Sequence, residues 1–589
     1  MPTATAGFHP SPHPRAAPAK LRFGAWREAD EAVFRIWAPA VAELSIEIDG
    51  AEPKPMSPLD GGWFEYRGEL PFGTRYRYRL PDGTLVPDPA SRRQEGGVHG
   101  ESVLVSPDDY PWRCKGWRGR PWQETILYEL HAGLLGGFAG VERELPRLAE
   151  LGVTAIELMP IADFPGQRNW GYDGVLQFAP AAAYGTPAEL KSLVDRAHEL
   201  GLSMLLDVVF NHFGPDGCYL HVHSPEFFKA GSETPWGAGI DFDRAEVRAF
   251  YLACALQWLD EFGFDGLRFD AVHAIPSAEV LLELERDIRA ALPKERHIHL
   301  VVENEDNDAD LLTAYDAQWN DDFHHAVHVL LTGETRTYYG SFAPEPIRHL
   351  ARVLESGFAF QGEIAPNRGE PRGKPSGHLA PTRFVNCLQN HDQIGNRLFG
   401  ERLLALADPG KVKVAAALLL LCPQIPMLFM GEEHGSCTPF YYFTDHNEDL
   451  AQAVRDGRKR EFAHEDHGGD PLALDPNAPE TFEASRPGAG EDADEWLELY
   501  RKLIGIRRDA IMPDLDDCTS CGAEPLGAQA VRAAWRLGSR SLSLFANVGD
   551  EPLRTALPAG RTIFSLGIVA VQADQVTLEG PSFLAILSD

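Results

Sequence analysis

Over residues 21–107 apolar and polar side chains alternate in short runs, as in Val33-Phe-Arg-Ile-Trp37 and Leu44-Ser-Ile-Glu-Ile48. A period of two sends successive side chains to opposite faces, so each run predicts a strand with one buried face. Asp49-Gly50, Asp60-Gly-Gly62 and Pro81-Asp-Gly83 provide the turns between them, and a small β-sandwich is expected. The pattern changes near Thr125. Short apolar runs at 125–130, 154–159, 203–210, 266–269, 298–302, 384–388 and 427–430 then alternate with amphipathic stretches such as 187–200, 244–262, 278–291 and 410–421. Strand, helix, strand in repetition implies parallel strands joined by crossovers. Residues 317–319 supply an eighth strand, and eight units close a (β/α)8 TIM barrel with its chemistry at the C-terminal strand ends. An open doubly wound sheet competes, but it usually carries a glycine-rich phosphate loop after its first strand, and none is present. A helix over 496–508 leads into strand-like runs at 531–535 and 541–545. The expected layout is a disordered tail over 1–20, the sandwich over 21–108, the barrel over 115–495 and a C-terminal β domain over 496–589.

Composition narrows the partners. The chain has 589 residues, 44% hydrophobic and 24% charged, which fits a globular protein with several cores. With 87 Asp plus Glu against 54 Lys plus Arg the net charge is −33, a surface that repels nucleic acid and anionic membranes. Residues 1–20 hold five prolines and no apolar run, so they read as neither a signal peptide nor a transit helix. No stretch reaches the roughly 18 apolar residues of a membrane span, and a cytoplasmic protein is expected. Eight cysteines are too few for a disulfide scaffold in so long a chain. Cys518-Thr-Ser-Cys521 has zinc-like spacing without a second pair of ligands, and a surface loop with reduced thiols is expected.

Polar residues cluster where the apolar strands stop. Asp207-Val-Val-Phe-Asn-His212 ends one run, Arg268, Asp270 and His273 end the next, Glu303 follows 298–302, and Gln389-Asn-His-Asp392 follows 384–388. A barrel brings all four sets to one mouth. Arg268 and Asp270, two apart on a strand, share a side, and the cation then keeps the carboxylate ionised. A carboxylate nucleophile is prepared in this way, so Asp270 is the candidate nucleophile. Glu303 is the candidate acid and later the base that activates water. Two carboxylates about 5 to 5.5 Å apart form a covalent glycosyl intermediate and retain anomeric configuration. Asp392 is a third carboxylate, suited to holding sugar hydroxyls. Glu303 is preferred to Glu305 because it directly follows the apolar run. A lone strand-end Asp is often a helix cap, and Asp207 alone fits either role. His221-Val-His223 has ligand spacing but no third ligand, so no metal and no other cofactor is expected.

These four sets, in this order, resemble the signature regions of the α-amylase superfamily, glycoside hydrolase family 13. The resemblance covers about 125–431, and the N-terminal sandwich is similar to the carbohydrate-binding modules of branching and debranching relatives. It implies Asp270 as nucleophile, Glu303 as acid/base and Asp392 as transition-state stabiliser, with Asp207, His212, Arg268, Asn390 and His391 around the reacting glucose. Tyr172 is expected at the cleaved sugar, His273 in the subsite wall, and the aromatic run 440–443 near a trehalose end. The flanking segments Asn169-Trp-Gly-Tyr-Asp-Gly174, Gln318-Trp-Asn-Asp-Asp-Phe-His324 and Thr438-Pro-Phe-Tyr-Tyr-Phe-Thr-Asp-His446 look most like members that act on maltooligosyl trehalose. The resemblance implies cleavage of the α-1,4 bond beside the terminal trehalose, with a maltooligosyl trehalose synthase as functional partner. A glucan branching or debranching enzyme is the nearest alternative, and a non-catalytic glucan-binding protein the second. Two departures stand out: His131-Ala-Gly-Leu-Leu-Gly-Gly-Phe138 replaces a longer loop, and His434 stands where relatives carry an aromatic. Both bear on subsite preference rather than on activity.

Overall fold

The structure is a computed structural model that describes residues 23–275, 277–463, 475–572 and 574–588. The expected tail over 1–20 lies outside the described residues. Eight parallel strands, β1 (Leu127–Leu130), β2 (Ala155–Leu158), β3 (Ser203–Val208), β4 (Gly266–Phe269), β5 (His299–Val302), β6 (Ala317–Trp319), β7 (Phe384–Cys387) and β8 (Ile425–Phe429), close a barrel in that order. β8 returns to β1 with Met427 opposite Leu127. Helices cover the outside and side chains fill the inside, so every residue of β1 and β4 is buried. Burial on both faces is why these runs lack the apolar and polar alternation of a half-exposed strand. Leu127, Ala155, Leu205, Val301 and Val385 pack the interior, which is a core and not a pore.

Helices Gly137–Leu151, Pro187–Glu199, Ala245–Leu256 and Ala278–Ala291 make the first four crossovers. Pro187–Glu199 begins with a capping box between Thr186 and Glu189, as the Thr-Pro-Ala-Glu text allows. The fifth connection departs from the expected alternation. Between β5 and β6 only the short 3-10 turn Leu311–Thr313 forms, because the segment is rich in Asp, Glu and Asn and lacks an apolar stripe. This loop lies at the strand ends where Glu303 emerges.

On the N-terminal side, a sheet including Glu31–Trp37 and Trp63–Gly68 packs on one built around Arg75–Arg79, over a core with Phe34, Ile46, Tyr76 and Tyr78. At the C-terminal end, strands Cys518–Pro525, Ala530–Leu537, Arg540–Asn547, Ser582–Ser588 and Arg561–Leu566 form one sheet, beside a three-stranded one. Cys518 and Cys521 lie in the first of these strands rather than in a surface loop. Three apart in a strand, they part company: Cys518 is buried, Cys521 is exposed, and both thiols are free. Among the described residues no helix is long and apolar enough to cross a membrane.

Candidate active site

The site is organised by one buried cation. Arg268, near the end of β4, is 1% exposed, and its guanidinium lies over the Trp319 ring of β6 at 4.0 Å. Its Nη1 donates to Asp207 Oδ2 at 2.7 Å and to Asp270 Oδ1 at 2.8 Å, and its Nη2 pairs with Glu303 Oε2 at 2.7 Å. Asp207 lies in β3, Asp270 directly follows β4 and Glu303 directly follows β5. Because the strands are parallel and in register, Asp270 and Glu303 come to one level just past the ends of β4 and β5, and Asp207 lies opposite Arg268 one layer below.

The carboxyls are driven apart in acidity. Burial alone raises Asp270, but Arg268, His212 and a hydrogen bond from Asn211 outweigh it and hold the carboxyl below its ordinary value. Asn211 Nδ2 donates to Asp270 Oδ2 and to its main-chain carbonyl, both at 3.0 Å. Burial lifts Glu303 to about 8; Arg268 pulls it back, while Asp270 and Asp392 add to the rise. The Ala271 N–H donates to Glu303 Oε2 at 2.9 Å, so this N–H and the Arg268 guanidinium meet the same oxygen and Oε1 is left to carry a proton. Ala271 reaches this position through a left-handed backbone with φ 40°, a conformation that costs a residue bearing a Cβ.

The walls are equally specific. Tyr172 donates its hydroxyl to Asp207 at 2.6 Å and stacks on His391, with ring centroids 5.1 Å apart. Burial lowers His391, yet Glu129 of β1, in contact with its Nδ1, raises it to about 9, so the ring is a cation at neutral pH. His212 contacts Asn211 through Nδ1 and the Tyr172 carbonyl through Nε2, and burial keeps it below its ordinary value. Asp392 accepts from Asn396 at 2.7 Å. His273 accepts the Glu305 N–H at 3.4 Å, and Glu305 itself turns outward to Arg368.

Tyr172, His212, Arg268, Asp270, His273, Glu303, His391 and Asp392 all line one cavity of about 640 Å³. Two residues expected to bind substrate do not reach it. Asp207 is buried beneath, where it clamps Arg268 and Tyr172, and burial lifts it to about 6 against the pull of Arg268. Asn390 caps the short helix His391–Gly395 by accepting the N–H of Asp392 at 2.9 Å and of Gln393 at 3.3 Å, so it aims Asp392 instead. Of the run 440–443, Phe440 and Phe443 are fully buried and Tyr442 lines the cavity. Trp236, Tyr338 and Arg372 were not singled out from the sequence and line the cavity from long connections, while Asp321, also not assigned a role, opens helix Asp321–Thr332 just after β6. Glu129 and Glu157 also escaped notice, although a charged residue in the middle of an apolar strand was a usable signal. Among the described residues no group of three His, Cys, Asp or Glu side chains is arranged to hold a metal. His223 instead is buried and contacts the Ser224 hydroxyl beside the N-terminal sandwich.

Residues 103–230 match the family described as alpha amylase, catalytic domain, and residues 518–584 match a domain of unknown function, DUF3459. A malto-oligosyltrehalose trehalohydrolase from Saccharolobus solfataricus is 41% identical over 506 residues, 83% of this chain and 87% of its own. The chain belongs to the malto-oligosyltrehalose trehalohydrolase family. A trehalohydrolase from Rhizobium sp. strain M-11 is 38% identical over 94% of this chain and 97% of its own. A solved structure from Salmonella typhimurium, provisionally described as an alpha amylase, is 42% identical with a TM-score of 0.90, covering 96% of this chain and 99% of its own.

Within this trehalohydrolase-family chain the two departures stay outside the cavity lining. His131 is buried, with Nε2 on the Asn169 carbonyl at 2.8 Å and Nδ1 accepting the Leu134 N–H at 3.1 Å, so its loop folds inward. His434 accepts from Arg147 at 3.0 Å and lines a separate pocket of about 210 Å³.

Proposed function

We propose that this chain is a retaining glycoside hydrolase that cleaves the α-1,4-glucosidic bond beside the terminal trehalose of maltooligosyl trehalose and releases trehalose. The observation that carries this reading is that one guanidinium touches both Asp270 and Glu303, while their surroundings push the two carboxyls to opposite protonation states. A nucleophile must be ionised and a leaving-group acid must hold a proton, so Asp270 takes the first role and Glu303 the second. A shared guanidinium favours the separation of about 5–5.5 Å that suits a covalent intermediate.

Asp270 attacks the anomeric carbon, Glu303 protonates the glycosidic oxygen, and trehalose departs. Glu303, now ionised, draws a proton from water, and the hydroxide so formed releases the sugar from Asp270. Asp392 and the His391 cation hold hydroxyls of the flattened ring, Tyr172 covers its face, and Asp207 and Asn390 act through the residues they position. Trehalose as the leaving group is supported by the names of the relatives. The substrate comes from a reaction that turns the reducing-end linkage of a maltodextrin into an α,α-1,1 bond, the work of a maltooligosyl trehalose synthase. Incubation with maltopentaosyl trehalose, followed by sugar analysis, should yield trehalose and maltopentaose with initial α configuration. Absence of trehalose, with action on amylopectin, would replace this reading by a branching or debranching enzyme.

A further inference from the structure

The top of the barrel interior is a layer of acids, and one of them has no task in the reaction described above. Leu127, Ala155 and Leu205 pack the interior from β1, β2 and β3. Residues two further along a strand point the same way, so Glu129, Glu157 and Asp207 lie above them, just below the mouth. All three are buried, Glu157 to 1% exposure. Two of them are occupied. Glu129 meets Nδ1 of the His391 ring and accepts the His391 main-chain N–H at 3.3 Å, and Asp207 meets Tyr172 and Arg268 through Oδ2. Glu157 stands between them, opposite Glu129 in the β1 to β2 register and beside the strand that carries Asp207.

The unused hydrogen-bonding capacity of this layer falls on three consecutive strands. Among the described residues, both carboxyl oxygens of Glu157, Oδ1 of Asp207 and Nε of Arg268 are buried without a hydrogen-bond partner. Buried polar groups of this kind are unfavourable alone, and a buried water typically makes about three hydrogen bonds to them.

The charges around Glu157 decide which form it takes. It faces Glu129 from β1, Asp207 from β3 and Arg268 from β4. The cations Arg268 and His391 are already met by Glu129, Asp207 and Asp270. Burial, with Asp207 and Glu129 beside it, raises the Glu157 carboxyl well above its ordinary value against the pull of Arg268. A neutral carboxyl has an O–H to donate, and the acceptor still open among its neighbours is Asp207 Oδ1. Asp207 gains from such a donor. Burial lifts it to about 6, opposed by Arg268 and by the Tyr172 hydroxyl and aided by Asp270, so one more hydrogen bond favours its ionised form.

We propose that Glu157 is a positioning residue that acts through one buried water, which accepts its O–H and the Arg268 Nε–H and donates to Asp207 Oδ1. The bridge fixes Asp207, and with it the Arg268 guanidinium and the Tyr172 hydroxyl that shape the pocket of the nucleophile. Glu157 does not line the cavity, so its effect reaches the sugar only through these neighbours. The kinetic consequence rests on the hydrolase reading above, whereas the water does not.

On maltopentaosyl trehalose, Glu157→Met, which keeps the length and removes the donor, should lower kcat/KM by about tenfold, the weight of one hydrogen bond. Its acid limb should begin at higher pH, because Asp207 then takes up a proton more easily. Glu157→Gln restores a neutral donor, so it should recover most of the loss and bring the acid limb back toward that of the wild type. A crystal structure of the wild-type protein should show one water within hydrogen-bonding distance of Glu157 and Asp207. Equal losses in the two variants with the pH profile unmoved would reduce Glu157 to packing and overturn the assignment. So would an acid limb displaced as far by Glu157→Gln as by Glu157→Met, since Glu157 would then act as an anion, and so would a dry interior. If Glu157→Met does not fold, the crystal water and the Glu157→Gln profile decide. If the wild-type protein released no trehalose, the hydrolase reading would fall, while the water between Glu157 and Asp207 would still be found or missed.

Discussion

Two arginines are buried at opposite ends of the barrel, and their partners are of different kinds. Arg507, beneath the barrel, is fully buried and donates to the main-chain carbonyls of Leu420 at 3.1 Å, Cys422 at 2.5 Å and Gln424 at 2.7 Å. These are the end of helix Pro409–Leu421 and the approach to β8, where a helix leaves carbonyls without intrahelical partners. Arg268, at the mouth, meets three carboxylates instead. Burial brings Arg507 down to about 10, whereas the carboxylates around Arg268 overcome its burial and raise it. A carboxylate shows the same contrast. Asp265, below β4, receives His198 at 2.9 Å, Trp117 at 2.8 Å and the Met204 N–H at 2.9 Å, while Glu157 inside β2 has no hydrogen-bond partner on either oxygen among the described residues. Burial alone therefore does not mark a functional charge. The floor matches each charge with donors or acceptors that hold it, whereas the mouth carries more carboxyl than cation, and one of its carboxyls keeps a proton.

Substitution at the mouth should break activity without breaking the fold. Asp270→Asn and Glu303→Gln should each lower kcat by about 10²–10⁴-fold with the far-UV spectrum unchanged, and for Glu303→Gln the melting temperature should stay at or above the wild-type value. At the floor the outcome should invert. Arg507→Met leaves several buried carbonyls unpaired and should cost about 3–5 kcal/mol in urea unfolding, with kcat per folded molecule unchanged. A loss of kcat at constant stability in Arg507→Met would mean that the two ends do not divide the work as their partners indicate.

The barrel was legible because its strands are short apolar runs that stop abruptly at polar residues, and that stop is the mouth. Asp270, Glu303 and Asp392 were visible for the same reason. Asp207 was visible too, but a strand residue one layer down looks the same in sequence as one that faces the cavity. Its contact with Arg268, rather than its position, shows that it clamps the site. Trp236 was hidden because the hairpin Phe228–Thr234 with Gly237–Ile240 has no clean alternation. Asp173 and His446, which also line the cavity, were hidden because Asp445 joins two loops that are remote in the chain.

The same contrast sets two pH dependences of opposite sign. Glu303 is raised on folding, so between the ordinary carboxyl range and about 8 the unfolded chain releases a proton that the folded chain keeps. Its contribution therefore lowers stability as pH rises through that window, and Glu303→Gln should flatten the slope. Asp265 is lowered: burial opposes its ionisation, but His198 and its hydrogen bonds outweigh it. Its contribution is present above the ordinary carboxyl value and is lost as pH falls through the depressed one. Melting temperature against pH should thus show an alkaline decline that Glu303→Gln reduces and an acid decline that Asp265→Asn reduces. Catalysis should follow the mouth alone: kcat/KM falls above about 8 as Glu303 ionises, and falls in acid as Asp270 gains a proton.

The smallest effect is expected at Ala271, where the mouth stores backbone strain. Its φ of 40° places its N–H on Glu303 Oε2 at 2.9 Å, and the next residue, Val272, donates to the Glu303 carbonyl at 3.0 Å. A left-handed residue with a Cβ costs about 1–2 kcal/mol, which Ala271→Gly removes. Glycine also loosens the unfolded chain, at about 0.5–1 kcal/mol, so the net change in unfolding free energy should stay within about 1 kcal/mol. Activity is the sharper readout. A turn that no longer enforces its geometry holds the N–H less firmly against the ionised form of Glu303, so the alkaline limb of kcat/KM should move upward. The rate itself should fall by about two- to fivefold, less than one decade of binding energy. A large loss of stability with an unmoved pH profile would show that Ala271 serves the packing of the strand end rather than the acid beside it.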